Sequence, residues 1–221
     1  MDWFPLYNSI RVAAVSTLVV FFAGVASAYY ISKVPRGAKG VLDVVFTLPL
    51  VLPPTVVGYL LLRLLGPNRL LGRWILSLTD VGLTMHWWSA IFAACVVSFP
   101  LMYRTARGAF EAFDETLAQS AQTLGLSNTY IFWHIRLPLC RQGILAGAVL
   151  SFARALGEYG ATSMLCGYTP GHTATISTTV YQLWRAGDDA AAFGWVLVNL
   201  AISFAVLLTL NLLEKKGKEG G

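Results

Sequence analysis

ETLAQSAQTLGLSNTYIFWHIRLP, residues Glu115 to Pro138, is a mostly polar segment set between strongly apolar ones. Leu117, Ala121, Leu124 and Leu126 supply an apolar stripe at roughly helical spacing. Gly125 permits a backbone turn that a β-carbon would hinder, and Pro138 ends the segment. A short helix closed by a glycine turn, with an apolar edge facing water, suits insertion into a groove on a partner. A helix lying along a membrane surface would show the same periodicity, so both readings are open at this point.

Outward from this segment the chain is lipid-like. Of its 221 residues 56% are hydrophobic and 12% charged, and the mean hydropathy is +0.63. Soluble domains carry about 25% charged residues, so a chain this poor in charge is expected in a bilayer. About 20 helical residues cross a hydrocarbon core of about 30 Å. Three uncharged runs meet that length: Val12–Ser32, Val44–Leu62 and Ala190–Leu213. Trp87–Tyr103 is a shorter fourth, and Gly143–Leu165 is a fifth interrupted by Arg154 and Glu158. The expected fold is all-α, a polytopic bundle of about five transmembrane helices forming one domain over residues 1–221. Ala26-Ser27-Ala28 resembles a signal-peptidase site, but no basic cluster precedes the first apolar run, so that run is read as a retained helix.

The distribution of Lys and Arg orients the bundle. With the N-terminus outside, ten basic residues fall inside (Lys33, Arg36, Lys39, Arg104, Arg107, Arg136, Arg141, Lys215, Lys216, Lys218) and five outside (Arg11, Arg63, Arg69, Arg73, Arg185). The polar segment, within a loop of about residues 104–142, is then cytoplasmic, as is the C-terminus.

Pro49, Pro53 and Pro54 fall inside the second span and delete three backbone donors, so that span is expected to kink or break. Irregular backbone at membrane depth is tolerated where it is buried in protein or lines a cavity, which makes Pro53, Pro54 and Thr55 pathway candidates beside the plainer reading of a shaping kink. In the fourth span Arg154 and Glu158 stand four apart on one helical face. Ionisable residues there are costly and usually face the bundle interior. They can pair with each other, pair with neighbouring helices in two alternative packings, or, for Arg154, attract a passing dianion. A strong fixed site would trap its cargo, so the structural or conformational role is favoured.

Other features read more simply. The segment Arg73–Leu78 is expected along the outer interface with Trp74 at headgroup level, and Trp87 and Trp88 mark the edge of the third span. The polar loop Gly167–Asp189, with Thr169, Thr173, Thr175, Ser177, Thr178 and Thr179, is an ordinary solvated loop, a segment dipping into the bundle, or a contact for an outside partner. Cys95, Cys140 and Cys166 have no metal-like spacing and read as small apolar residues.

Gly125, Ile135, Leu137 and Pro138 form the pattern G-x9-I-x-L-P. It resembles the cytoplasmic signature loop of ABC importer permeases, which docks on an ATPase subunit. FARALGEYGAT (Phe152–Thr162) and LPLVLPPTVVGYLLL (Leu48–Leu62) narrow the resemblance to permeases of molybdate importers, with sulfate/thiosulfate and tungstate permeases as relatives. The likeness runs from about Val12 to Leu213. The family loop usually begins Glu-Ala-Ala; here it is Gln119-Ser120-Ala121, which removes a charge that often meets the ATPase.

The resemblance implies the type I importer permease fold. It also implies a homodimer around one pathway and two ATPase subunits on the cytoplasmic loops. A periplasmic or surface-tethered oxyanion-binding protein would serve the outer mouth. The implied location is the cell inner (plasma) membrane. This chain would bind no cofactor; ATP and Mg belong to the partner subunit, and no nucleic acid is involved. Only eight residues follow Leu213, so regulation by oxyanion is expected on the ATPase. An enzyme is disfavoured: there is no G-x-S-x-G or H-E-x-x-H, and His86, His134 and His172 sit in three different segments, so no catalytic residue or metal site is assigned. An ion-coupled secondary transporter would suit the broken span and the Arg154/Glu158 pair but leaves the docking loop unexplained.

Overall fold

A computed structural model describes residues 2–218. The side chains of Arg36 and of the basic tail at Lys215, Lys216 and Lys218 lie outside the described residues. The described chain is helical: α1 (Phe4–Ser32), α2 (Arg36–Val51), α3 (Pro54–Leu65), α4 (Leu70–Thr79), α5 (Ser89–Glu111) and α6 (Glu115–Thr123), then α7 (Asn128–Ile131), a π-helical turn (Phe132–Arg136), α8 (Leu137–Leu156), α9 (Gly160–Cys166), α10 (Ile176–Arg185) and α11 (Asp189–Lys218). Four stretches are long and apolar enough to cross a membrane, α1, α5, Asn128–Leu156 and Asp189–Thr209, and the bent pair α2–α3 makes a fifth.

The central helix is α5, flanked by α1 and α8. Its buried face alternates small residues (Ala90, Ala93, Ala94, Ala106) with Met102, Tyr103 and Phe110. In lipid there is little hydrophobic drive between helices, so close backbone approach through small residues supplies the cohesion. On one side of the bundle Val20, Ala28, Tyr103, Phe110, Ile131 and Ile144 make the largest core cluster.

The second span breaks at Leu52–Pro53, with 110° between α2 and α3. Pro49 is accommodated inside α2. Leu52, which precedes Pro53, takes extended angles (φ −72°, ψ 140°), because a following proline ring clashes with the helical conformation. Pro54 then opens α3 at its first turn, where no donor is needed.

The fourth span differs from its expected limits. It ends at Leu156 rather than Leu165, and Gly157, Glu158 and Tyr159 form a second break before α9. At its other end Pro138 does not terminate the polar segment. The helix runs from Asn128 to Leu156, and the Leu137 N–H donates to the Phe132 carbonyl across the wider π turn. A proline ring crowds the preceding turn, and a π turn loosens the backbone just where Pro138 needs room.

Candidate functional site: the polar segment and the two broken spans

Between α5 and α8 the polar segment folds into two short helices whose ends are specified locally. Asp114 caps α6 by accepting from the Thr116 N–H (2.9 Å) and hydroxyl (2.8 Å). These bonds favour the ionised carboxylate and hold its pKa below the ordinary value of 3.8. At the far end the Gly125 N–H donates to the Gln122 carbonyl (2.9 Å) and the Leu126 N–H to the Ala121 carbonyl (3.2 Å). That is a Schellman closure, and Leu126 packs on the same cluster as Ala121. Gly125 has φ +81° with open space around it, so the glycine is required by backbone angle and not by crowding. Ser127 caps α7 through the Tyr130 N–H at 3.2 Å.

The expected apolar stripe divides. Ala118 and Ala121 turn inward onto the core, while Leu117 faces out and Leu124 is 80% exposed. Gln119 and Ser120 are exposed as well. Ile135 and Leu137 are half-buried against the main core cluster, and Pro138 is exposed at the base of α8. The segment therefore shows water an edge built from Leu117, Gln119, Ser120 and Leu124.

A residue that the sequence marked only as an inside cation holds this arrangement. Arg136 is 6% exposed. Its Nη2 donates to Glu115 Oε2 at 2.7 Å, and its guanidinium lies 4.5 Å from the centroid of the Phe113 ring. It pins the first turn of α6 to the π turn.

The second assembly is where the two broken spans meet. A β-carbon on Gly58 would stand 2.7 Å from the Ala161 Cα, and one on Gly160 would stand 2.9 Å from the Pro54 Cβ and 3.0 Å from the Thr55 nitrogen. Thus α3 and α9 touch backbone to backbone. Glu158, 3% exposed, accepts from the Ala161 N–H at 2.8 Å and from Arg154 Nη1 at 2.6 Å. One carboxylate joins the last turn of α8 to the first turn of α9. Pro53 and Thr55 are exposed beside this junction. Pro53, Pro54, Thr55, Arg154 and Glu158 therefore fall at one junction of two breaks, well away in the chain from Gln119–Gly125.

The Thr-rich loop packs inward. Asn8, fully buried, donates through Nδ2 to the carbonyls of Thr173 (3.3 Å) and Ala174 (3.0 Å). The Ile176 N–H donates to Ser9 Oγ at 2.8 Å, and Thr175 with Thr178 forms a capping box that starts α10. Thr169 to His172 form the exposed tip. Asn8 also accepts from Arg11 Nη2 (3.0 Å), and that guanidinium covers the Trp87 ring at 3.5 Å. Among the described residues no group of three or more His, Cys, Asp or Glu could hold a metal.

The known proteins that resemble this chain agree with this architecture. The sequence pattern of the family described as binding-protein-dependent transport system inner membrane component matches residues 20–218. The putative molybdenum transport system permease protein YvgM of Bacillus subtilis (strain 168) is 39% identical over 94% of this chain and 91% of its own. The molybdenum transport system permease protein ModB of Escherichia coli (strain K12) is 36% identical over 99% of this chain and 96% of its own. A bacterial alginate ABC transporter, solved in complex with an alginate pentasaccharide-bound periplasmic protein, shares the fold with a TM-score of 0.77 at 19% identity, over 99% of this chain and 80% of that one.

A multi-pass helical bundle with broken spans and a short helix displayed at one end is the fold of an ABC importer permease. The chain belongs to the binding-protein-dependent transport system inner membrane component family.

Proposed function

We propose that this chain is the pathway-forming subunit of an ATP-driven importer whose cargo is molybdate. The cargo assignment is carried by the full-length similarity to the two molybdenum permeases, 39% and 36% identical. In this reading two copies enclose one pathway and two ATPase subunits dock on α6. The edge of Leu117, Gln119, Ser120 and Leu124 enters the ATPase groove, and the Gly125 closure fixes its direction. With Gln119 in place of an acidic residue, docking relies on apolar fit and hydrogen bonding more than on charge. The N-terminus is outside and the C-terminus cytoplasmic, and a substrate-loaded binding protein docks at the outer end of the bundle.

Transport requires two packings of the bundle with different affinity for the ATP-bound partner. The junction of α3 with α9 is the element best suited to switch: it is held by backbone contact and one buried carboxylate, and each flanking span is already broken there. Glu158 and Arg154 act as its fastener. This chain binds no cofactor, and ATP with Mg is used on the separate ATPase subunit.

The test is ATP hydrolysis by the complete complex in liposomes, with binding protein and molybdate, tungstate or sulfate at matched concentration. Stimulation by molybdate, with or without tungstate, and none by sulfate supports the reading. Stimulation by sulfate moves the cargo to the related oxyanion, and failure to form a complex with an ATPase overturns the importer.

A further inference from the structure

Beside α6 two cavities adjoin one another. One is an apolar trough of about 550 Å³ between α1 and the π turn. Its α1 wall is a double row, Phe21, Phe22, Val25, Tyr29 and Tyr30, that ends at Lys33. The opposite wall is Phe132, Trp133 and Leu137. The other cavity is a polar cleft of about 620 Å³ beneath α6. The two share Tyr29, Lys33, Asn128 and Phe132, so the apolar trough and the polar cleft meet at these four side chains.

The charges of the cleft are unequal. Both of its carboxylates are committed, Glu111 to Lys39 and Arg107, and Glu115 to Arg136. Lys33 has no carboxylate partner among the described residues; its ammonium reaches only the Tyr29 hydroxyl and ring. Asn128, which accepts from Gln122 through Oδ1, lines both cavities. Twelve residues separate Phe21 from Lys33, a rise of about 18 Å at about 1.5 Å per residue. One leaflet contributes about 15 Å of hydrocarbon. The trough therefore spans one leaflet and ends in an unpaired cation at headgroup level, where Trp133 and Tyr30, both exposed, are of the type that sits at that depth.

We propose that this is a binding site for an anionic phospholipid of the leaflet on the α6 side. One acyl chain lies along α1 between the Phe22 and Trp133 walls. The phosphate meets Lys33, with Asn128 and Thr129 as polar neighbours. The headgroup then sits beside the Gln122–Asn128 bond that links α6 to α7, so the lipid braces the docking helix from its membrane side. The apolar length selects an amphiphile over a free anion, and the single surplus cation selects a negative headgroup over a zwitterionic one.

The experiment is native mass spectrometry of the purified full-length chain titrated with phosphatidylglycerol or phosphatidylcholine of identical acyl chains. The expected preference for phosphatidylglycerol is about fivefold, the contribution of one lysine near a membrane surface. Lys33→Gln should abolish that preference, Lys33→Arg should keep it, and Trp133→Ala should lower retention of both lipids. Equal retention of the two lipids by the unaltered chain overturns the proposal, as does an undiminished preference in Lys33→Gln. Full displacement of phosphatidylglycerol by inorganic phosphate would reduce the site to an anion pocket. Loss of dimer in Trp133→Ala with lipid retention unchanged would assign the trough to a second copy of the chain.

Discussion

Glu115 and Arg136, 21 residues apart in sequence, meet at 2.7 Å and fix the displayed helix α6 to the base of α8. The two ends are unequal: the Arg136 side chain is 7% exposed and that of Glu115 59%. Arg136→Ala should therefore be the more damaging change, because it also empties the space against Phe113. We expect a local loss of about 1–3 kcal/mol for Arg136→Ala and less for Glu115→Ala, where the freed guanidinium keeps its aromatic partner. Hydrogen exchange of the α6 amides checks both; equal deprotection in the two variants would contradict this ranking.

Gly125 owes its identity to φ +81° alone, since no atom lies within 4 Å of the place a β-carbon would take. Gly125→Val should cost about 1–2 kcal/mol in backbone strain and unwind the end of α6, and Gly125→Asn should be mild. In the proposed importer the valine variant inserts normally but separates ATP hydrolysis from transport. Transport at the unaltered rate by Gly125→Val would remove α6 from the coupling route.

Glu158 satisfies two partners from one buried carboxylate. Glu158→Ala strands the Ala161 N–H and the Arg154 guanidinium together. A loss of about 3 kcal/mol is expected, the low end for a broken buried pair because Arg154 is partly exposed. Arg154→Ala should lose transport and assembly together. Thermal unfolding in detergent and transport in liposomes test this. An Arg154→Ala protein that keeps its assembly but passes no anion would give the arginine a direct role toward cargo.

The contact of Gly58 with the Ala161 Cα leaves no room for one methyl group. Gly58→Ala should force α3 and α9 apart by about 0.7 Å or more, the gap between 2.7 Å and ordinary van der Waals contact at 3.4 Å, at a cost of about 1–3 kcal/mol. If this junction is the moving element, transport falls further than stability does. The reverse ranking would make it a passive contact.

Asp114 gives α6 an acid limit. Its folded pKa lies below the ordinary 3.8, so its contribution is complete above that value and is lost as pH falls through the depressed one. Protection of the Thr116 amide, corrected for intrinsic exchange, should be flat near neutral pH and decline only in acid. Asp114→Asn should flatten the acid decline.

Much of this was legible in the residues, and the exceptions have physical causes. Charge depletion and run length gave the spans, and Pro53–Pro54 gave the broken one. The place of the break, Leu52, follows from what a proline does to its predecessor. Pro138 misled because sequence shows the lost donor but not the π turn that absorbs it. Arg136 and Asn8 were invisible as keystones, since their partners lie 21 and 165 residues away and periodicity carries no information at that range. The Thr-rich loop looked polar enough for water, yet Thr173, Thr175, Thr178 and Thr179 are buried: the Thr173 hydroxyl accepts from the Thr169 N–H, Thr175 and Thr178 pair in the capping box, and the adjoining backbone finds partners on α1, with the Thr179 hydroxyl alone of the four left over.

The bonds from Asn8 to the carbonyls of Thr173 and Ala174 also set an order of events during synthesis. The first helix carries a buried carboxamide whose acceptors lie 165 residues downstream. At about 5–20 residues per second those acceptors leave the ribosome about 8–33 s later. For that interval the newborn helix holds an unmatched amide near the bilayer edge, a state open to membrane proteases and insertion chaperones. Emergence of Thr173 and Ala174, and not insertion of the first span, is the moment at which this helix becomes locked.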